Sequence, residues 1–195
     1  MSLENREKWR LQDWLTELEA LQPVKFNLRL ENVRKVAESL NVLGSAAKVI
    51  TVGGTNGKGS TVASLSAIYT AAGYKVGCFT SPHLIRFNER ISINNQQIAD
   101  AAAAAIFLQI YKACSDIRLS YFESSLLCAL LYFQQFALDL IILEVGMGGR
   151  FDATNIIDSD LTIITSIALD HQQYLGATTL KIGFEKAGIM RTGKV

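Results

Sequence analysis

The sequence predicts an α/β fold with three layers, in which a mostly parallel β-sheet is flanked by helices. Segments of strand character alternate with segments of helical periodicity along the chain, and this alternation is typical of parallel sheets. The segment 140–145 begins with four apolar residues in succession, as expected for a strand buried on both faces. A glycine-rich turn, 53–60, joins the first predicted strand to a helix, and that arrangement favours a phosphate-binding loop.

The N-terminal part is expected to contain two helices followed by the first strand. Residues 5–21 and 29–40 carry apolar side chains at helical spacing, which predicts two amphipathic helices. The first strand is expected at about 48–53 and the next helix at about 58–72. Gly73 follows the last periodic residue, and glycine at that position is typical of a helix end.

The remainder of the chain continues the alternation. Asn94 and Asn95 form a predicted turn after a short strand, since asparagine tolerates positive φ. Two polar loops, 81–90 and 146–155, are expected after strands. The further strands are expected at 74–80, 91–93, 140–145 and 161–165, and the further helices at 97–114, 121–137 and 178–187.

The glycine-rich turn predicts a site for the phosphates of a nucleotide. Glycine accepts positive φ, so that backbone N–H groups can converge on an anion, and the start of a helix adds unpaired N–H groups. Lys58 would contact the distal phosphates and a hydroxyl would hold Mg²⁺. Gly59 stands where the general P-loop pattern has Ser or Thr, and a plain glycine turn is the alternative. The residues expected to bind ATP are Gly54, Thr55, Asn56, Gly57, Lys58, Gly59, Ser60 and Thr61.

Polar residues follow the strands at the edge where parallel sheets bind ligands. Glu144, after an apolar run, predicts Mg²⁺ binding together with Ser60, because Mg²⁺ prefers oxygen ligands; the alternative is an acceptor for a loop N–H. His171 is expected to be a ligand or a catalytic group, or else a loop hydrogen-bonding residue. Lys186, taken alone, reads as a solvated charge on a helix. Ser81, His83, Asp152 and Asp170 are also expected at this edge.

The composition bounds the class of protein. The net charge of +1 gives no electrostatic reason to expect nucleic acid or an anionic membrane as a partner. The apolar runs are far shorter than the roughly 20 residues of a spanning helix. Three cysteines without metal-type spacing and a charged N-terminus favour reduced thiols and the cytoplasm. We expect a monomer.

Several short segments carry a family resemblance over nearly the whole chain. They are Gly54–Ser60, Ser81–Leu84, Asn88–Arg90, Tyr121–Glu123, Leu143–Arg150, Asp152–Asn155, Leu169–His171 and Glu185–Ile189. Their order and spacing resemble those of the folylpolyglutamate synthases and dihydrofolate synthases, a branch of the Mur ligase superfamily. The loop Gly54–Ser60 alone would suit any Mur-type ligase, whereas Ser81–Leu84 and Asp152–Asn155 indicate the folate branch.

The resemblance implies an ATP-dependent amide ligase of the Mur central-domain type. ATP would phosphorylate a carboxylate of dihydropteroate or a folate, and the amino group of L-glutamate would attack the acyl phosphate. The catalytic residues so implied are Lys58, His171 and Lys186; the Mg²⁺-site residues are Ser60, Ser81, Glu144, His171 and a carbamylated Lys186; the substrate-binding residues are Ser81, Pro82, His83, Phe122, Asp152 and Ala153.

The chain is shorter than family members, which carry a second, C-terminal α/β domain. We therefore expect 1–195 to be an N-terminal ATP-binding domain, incomplete at its C-terminal end, with little ligase activity alone. Asp152–Asn155 favours a bifunctional enzyme that also makes dihydrofolate. The alternatives are a Mur-type ligase acting on a peptidoglycan precursor and a nucleotide-binding module without catalysis.

Overall fold

The computed structural model describes residues 6–20 and 30–194. The expected end of the first helix and start of the second lie outside these residues. The strands are β1 Lys48–Gly53, β2 Val76–Phe79, β3 Ile91–Ile93, β4 Gln96–Gln97, β5 Leu140–Glu144 and β6 Leu161–Ile164. The α-helices are α1 Leu11–Ala20, α2 Glu31–Ser39, α3 Lys58–Ala71, α4 Asp100–Cys114, α5 Tyr121–Phe133, α6 Gln172–Leu175 and α7 Thr179–Ala187. Short 3₁₀ helices cover Phe87–Arg90 and Ala153–Ile156.

The six strands form one mixed sheet in the order β4-β3-β2-β5-β1-β6. The four strands β2, β5, β1 and β6 are parallel, whereas β3 and β4 pair antiparallel at one end. Val52 of β1 is paired with Glu144 of β5, and Gly53 is paired with Ile164 of β6. The glycine-rich turn, Glu144 and the segment after β6 therefore leave the sheet at the same edge.

Helices cover both faces of the sheet, which confirms the three-layer prediction. On one face, Ile50, Val52 and Ile142 pack in a cluster with Val62 of α3. On the other face, Val49 and its neighbours on β5 pack in a larger cluster with α1, α2, α4 and α5. Successive strand residues point to opposite faces, so β1 and β5 are apolar on both sides and the phosphate loop follows a rigid strand.

The structure differs from the sequence prediction at several boundaries. Strand β2 is shorter than 74–80, and α5 ends at Phe133 rather than near 137. Residues 96–97 form β4 instead of the start of a helix, because Asn94 and Asn95 adopt φ of 48° and 64° and close a hairpin with β3. The short helix α6 and both 3₁₀ helices were not predicted.

The helices and the cysteines bear on two expectations that the composition raises. Within the described ranges, no helix combines the length and the apolar character that crossing a membrane requires. The thiols of Cys78 and Cys128 are buried and that of Cys114 is half-buried, and all three are free. Burial raises the pKa of the Cys114 thiol to about 11, which keeps it protonated at neutral pH.

Asp160 joins the first residues of β1 to the start of β6. Its Oδ2 accepts a hydrogen bond from the N–H of Val49 at 3.0 Å, and its Oδ1 accepts from Nζ of Lys48 at 3.1 Å and of Lys194 at 3.3 Å. The Val49 N–H, then the Lys48 ammonium, lower the pKa of this carboxyl to about 2. Asp160 therefore stabilises the edge strand only when it is ionised.

Asp160→Asn is expected to lower the free energy of unfolding at neutral pH by about 1 kcal/mol, since partly exposed charged pairs contribute no more than that. The folded-state pKa lies below the unfolded value of about 4, so the native chain loses this contribution as the pH falls from about 4 to about 2. Urea unfolding should show that the difference in unfolding free energy between the native chain and Asp160→Asn is smaller near pH 3 than at pH 7. A difference that stays constant would contradict the assignment, and Asp116→Asn, at an exposed site, serves as control.

Candidate active site

The glycine-rich turn has the backbone geometry of an anion site. Gly54 and Gly57 have φ of 146° and 85°, values that glycine adopts without strain. Gly57 is the residue before α3, so Lys58, Gly59 and Ser60 form the first helical turn. The N–H groups of a first turn have no partner within the helix, and Gly59 and Ser60 are exposed. This confirms the predicted strand–turn–helix arrangement.

Two N–H groups earlier in the turn, those of Thr55 and Asn56, donate hydrogen bonds to another part of the chain. Thr55 donates its N–H to the carbonyl of Ser166 at 2.8 Å, and Asn56 donates its N–H to Oγ of Ser166 at 3.1 Å. The N–H groups of Thr55 and Asn56 are therefore engaged, whereas those of the first turn of α3 have no partner within the helix.

Two lysine side chains converge on one carbonyl of the turn. The oxygen of Gly54 accepts from Nζ of Lys58 at 3.1 Å and from Nζ of Lys186 at 2.9 Å. Lys186 is 3% exposed, so the reading of it as a solvated charge is wrong. Burial, then the nearby Lys58 charge, lower the pKa of the Lys186 amine, against an opposing effect of Asp170. The turn thus holds the amines of two lysines at a single carbonyl oxygen.

Lys186 reaches the turn because α7 packs closely on the loop after β5. Arg150 donates its N–H to the carbonyl of Glu185 at 2.8 Å. A Cβ at Gly149 would lie 2.7 Å from the carbonyl oxygen of Lys186, so only glycine permits this approach. Asn155 donates its side-chain amide to the carbonyls of Arg150 and Gly188 at 2.8 and 3.1 Å. Sequence spacing alone did not show this contact.

Glu144 is buried at the end of β5 and faces the start of α3. It is 4% exposed, its Oε2 accepts the N–H of Ser81 at 3.0 Å, and its Oε1 lies 3.7 Å from where a Cβ of Gly59 would stand. Burial raises the pKa of this carboxyl, whereas the Ser81 N–H and the charges of Lys58 and Arg90 lower it. One oxygen thus accepts a loop N–H, as the alternative interpretation expects. The other faces the helix start, and its contact with Mg²⁺ stays a prediction.

The donor set suits Mg²⁺ held in part by a nucleotide. Glu144 and Ser60 offer oxygen atoms beside the first turn of α3, and Mg²⁺ takes phosphate oxygens and water as its further ligands. In the part of the chain that the structure describes, no group of three or more His, Cys, Asp or Glu side chains could hold a metal ion.

The two histidines lie at the predicted edge with different partners. His171 precedes α6 with φ of 47° and is exposed, and its Nε2 lies 3.6 Å from Oδ2 of Asp170. His83 accepts a hydrogen bond at Nδ1 from Nε of Arg90 at 2.8 Å. Ser81 and the exposed Pro82 join β2 to this loop.

Three of the predicted substrate-binding residues, Phe122, Asp152 and Ala153, differ in accessibility. Asp152 is 7% exposed and Ala153 5%; Ala153 packs in the large apolar cluster. Phe122 is half-buried, its ring centroid 5.5 Å from that of Phe79, and a Cβ at Gly146 would lie 2.8 Å from its ring. Of the three, Phe122 presents the most surface to a ligand.

Residues that the sequence interpretation left out also shape the site. Glu89 accepts the N–H groups of Leu84, Ile85 and Arg86 at 2.7, 2.8 and 2.6 Å, which fixes the loop after β2. Thr165 and Ser166 contact the phosphate loop. The sequence could have indicated Thr165 and Ser166, because they lie where a predicted strand ends at the ligand-binding edge.

Comparison with known proteins gives a consistent result. The dihydrofolate synthase/folylpolyglutamate synthase of Escherichia coli is 51% identical over 184 residues, which are 94% of this chain and 44% of that protein. The structure of Escherichia coli FolC in complex with DHPP and ADP superposes with a TM-score of 0.93 at 50% identity and covers 96% of this chain and 45% of that one.

A bifunctional folylpolyglutamate synthase/dihydrofolate synthase with Mn, AMPPNP and L-glutamate bound gives a TM-score of 0.90 at 51% identity, over 96% of this chain and 45% of its own. No protein-family profile matches the chain. The chain spans less than half the length of these relatives. With the identity, the fold and the sequence motifs in agreement, the chain belongs to the dihydrofolate synthase/folylpolyglutamate synthase family.

Proposed function

We propose that the chain is the ATP-binding domain of an ATP-dependent amide ligase that adds L-glutamate to dihydropteroate, folates or both. The observation that carries the proposal is the convergence of Lys58 and Lys186 on the Gly54 carbonyl, beside the buried carboxylate of Glu144. The ammonium of Lys58 and the helix N–H groups would neutralise the charge that develops during phosphoryl transfer.

Each residue has a distinct task in this scheme. The N–H groups of Gly57–Ser60 and the ammonium of Lys58 would bind the β- and γ-phosphates and orient the γ-phosphate toward a carboxylate acceptor. Ser60 and Glu144 would hold Mg²⁺, which neutralises phosphate charge when bound. The acceptor carboxylate would take the γ-phosphoryl group and release ADP. The glutamate amine would then attack the acyl phosphate, forming the amide and releasing phosphate and a proton.

The buried Lys186 fits the carbamate that the family resemblance implies. Carbon dioxide reacts with the neutral amine, and burial together with Lys58 lowers the Lys186 pKa toward that form. The carbamate carries anionic oxygens, which would place a metal-binding group beside Gly54. His171 and Ser81 would complete a second metal site after nucleotide binding.

The acceptor is proposed to be a pteroate. The relatives' names, and the DHPP, ADP, AMPPNP and L-glutamate in their structures, support a folate over a peptidoglycan precursor. Phe122 offers an aromatic face for a pteridine, with Ser81, Pro82 and His83 along its border. The presence of Lys58, Glu144, His171 and Lys186 favours catalysis over a binding module that has lost its chemistry.

The small-molecule reaction fits the rest of the chain. The free thiols of the described cysteines support a reducing compartment, and we place the protein in the cytoplasm as a monomer. Its partners would be ATP, Mg²⁺, L-glutamate and the folate substrate.

Lys58→Ala is expected to weaken binding of ADP with Mg²⁺ by about tenfold to a hundredfold, because charge-assisted hydrogen bonds contribute about 1.5–3 kcal/mol. Titration calorimetry on the native and variant chains measures this. Lys35→Ala, on the exposed face of α2, is the matched control and should bind as the native chain does. Equal affinities in all three proteins, or no binding by the native chain, would overturn the proposed nucleotide site.

A second titration, with 7,8-dihydropteroate, tests the acceptor. Binding that weakens in Phe122→Ala supports a folate ligase, whereas binding of a uridine-diphosphate peptide instead would establish the Mur-type alternative.

A further inference from the structure

The first half of the phosphate loop is bonded to residues 165–168, which follow β6 and have no task in the proposed chemistry. Besides the bonds from Thr55 and Asn56 to Ser166, the hydroxyl of Thr165 donates to the carbonyl of Asn56 at 2.7 Å. The Thr165 N–H donates to the carbonyl of Gly53 at 2.9 Å. Thr55 accepts the N–H of Ala168 at its Oγ1 at 3.1 Å. Every residue of the loop from Gly53 to Asn56 except Gly54 is thus hydrogen-bonded to 165–168.

Gly54 contacts the same segment through packing. A Cβ at Gly54 would overlap Oγ1 of Thr165 and would lie 3.2 Å from the N atom of Ser166. The Thr165 side chain therefore occupies the space beside Gly54 that a larger residue would fill. The segment therefore leaves no space for a side chain at position 54.

We propose that Thr165 and Ser166 are positioning residues for nucleotide binding: they hold Gly53–Asn56 fixed so that the N–H groups of Gly57–Ser60 already face the phosphates. The inference rests on the nucleotide site proposed above. Glycine-rich backbone has large conformational freedom, and ordering it on binding costs affinity. Hydrogen bonds that order the loop beforehand remove that cost.

The same segment continues to residues predicted for the second metal site. Ala168, whose N–H and carbonyl both bond the Thr55 hydroxyl, lies two positions before Asp170 and three before His171. The phosphate loop and His171 are thereby attached to one support. This shared segment would fix the distance between His171 and a nucleotide bound in the loop.

The first experiment compares three variants of β6 and its end by calorimetric titration with ADP and Mg²⁺. Thr165→Val keeps the branched shape and removes the hydroxyl, and we expect about fivefold to tenfold weaker binding. Thr165→Ser restores the hydroxyl and should bind within about twofold of the native chain. Thr162→Val is the matched control, since Thr162 lies on β6 and its hydroxyl bonds Oγ of Ser159 and the carbonyl of Ile189, away from the phosphate loop. Native affinity in Thr165→Val, or a loss in Thr165→Ser as large as in Thr165→Val, would overturn the inference.

The second experiment needs no nucleotide and separates this inference from the proposed function. Amide hydrogen exchange in the native chain should show protection at both Thr55 and Asn56. Ser166→Ala should remove the protection at Asn56, whose acceptor is the hydroxyl, and retain it at Thr55, whose acceptor is the backbone carbonyl. Ser64→Ala, on the exposed surface of α3, should change neither.

The two experiments distinguish a failure of the proposed nucleotide site from a failure of the positioning role. If the native chain binds no ADP while Asn56 is protected and loses protection in Ser166→Ala, the proposed nucleotide site is wrong and the ordering of the loop stands. If Asn56 exchanges freely in the native chain, Thr165 and Ser166 do not position the loop, whatever the ADP affinity.

Discussion

Asp152→Ala is expected to lower the free energy of unfolding by about 3–5 kcal/mol, because each buried donor left without an acceptor costs about 1–3 kcal/mol. The carboxylate accepts the N–H groups of Gly146, Met147 and Thr154 at 2.9–3.0 Å and the Thr154 hydroxyl at 2.6 Å. All four donors lose their acceptor together in a site that is 7% exposed. Urea unfolding followed by circular dichroism measures the change.

Asp152→Asn distinguishes this structural task from ligand binding. The asparagine keeps one acceptor oxygen, so the destabilisation should be intermediate, and Asp116→Ala at an exposed site should stay within about 0.5 kcal/mol of the native chain. An Asp152→Ala protein as stable as the native one would contradict the role of Asp152 in the loop. A loss of dihydropteroate binding in Asp152→Asn, with the fold retained, would instead support its predicted contact with substrate.

The sheet could be predicted because its strands are distinctive in sequence. The apolar run before Glu144 and the turn Gly53–Ser60 each specify a local structure, through burial on both faces and through glycine backbone freedom. The order of the strands in the sheet could not be predicted in the same way. Ser81 donates its N–H to Glu144 because β2 lies beside β5, and periodicity within one strand does not determine its neighbour.

The sequence predicts which residues belong to the candidate site better than it predicts the contacts that they make. Lys186 has the pattern of a surface lysine on a helix, and its burial depends on Gly149 and Gly188, whose missing side chains let α7 approach the loop. Only the family resemblance indicates a role for Lys186 in the site; its position along the helix does not. Ala153 was expected to face a ligand and lies in the core. The contacts of Thr165 with the phosphate loop require β6 beside β1, a long-range pairing that local pattern does not encode.

Gly54→Ala should show the second large effect. We expect a loss of about 2–4 kcal/mol of unfolding free energy, from strained backbone and overlap with Thr165, and at least about tenfold weaker binding of ADP with Mg²⁺. Gly54 has φ of 146°, where alanine is disfavoured. Its carbonyl also accepts hydrogen bonds from Lys58 and Lys186, so a displaced residue 54 would move both lysine side chains from their positions beside the phosphate loop.

Thermal unfolding and calorimetric titration of the same samples test both parts. Gly44→Ala is the matched control, because a Cβ at Gly44 would meet nothing within 4 Å, and it should be neutral or stabilise by up to about 1 kcal/mol. Adding Thr165→Ala to Gly54→Ala removes the overlap and leaves the backbone strain, so recovered stability would measure the steric part. Since that double variant also lacks the Thr165 hydroxyl, its ADP affinity should stay low even where its stability returns. Native affinity in Gly54→Ala would mean that the Gly54 carbonyl does not organise the two lysines for nucleotide binding.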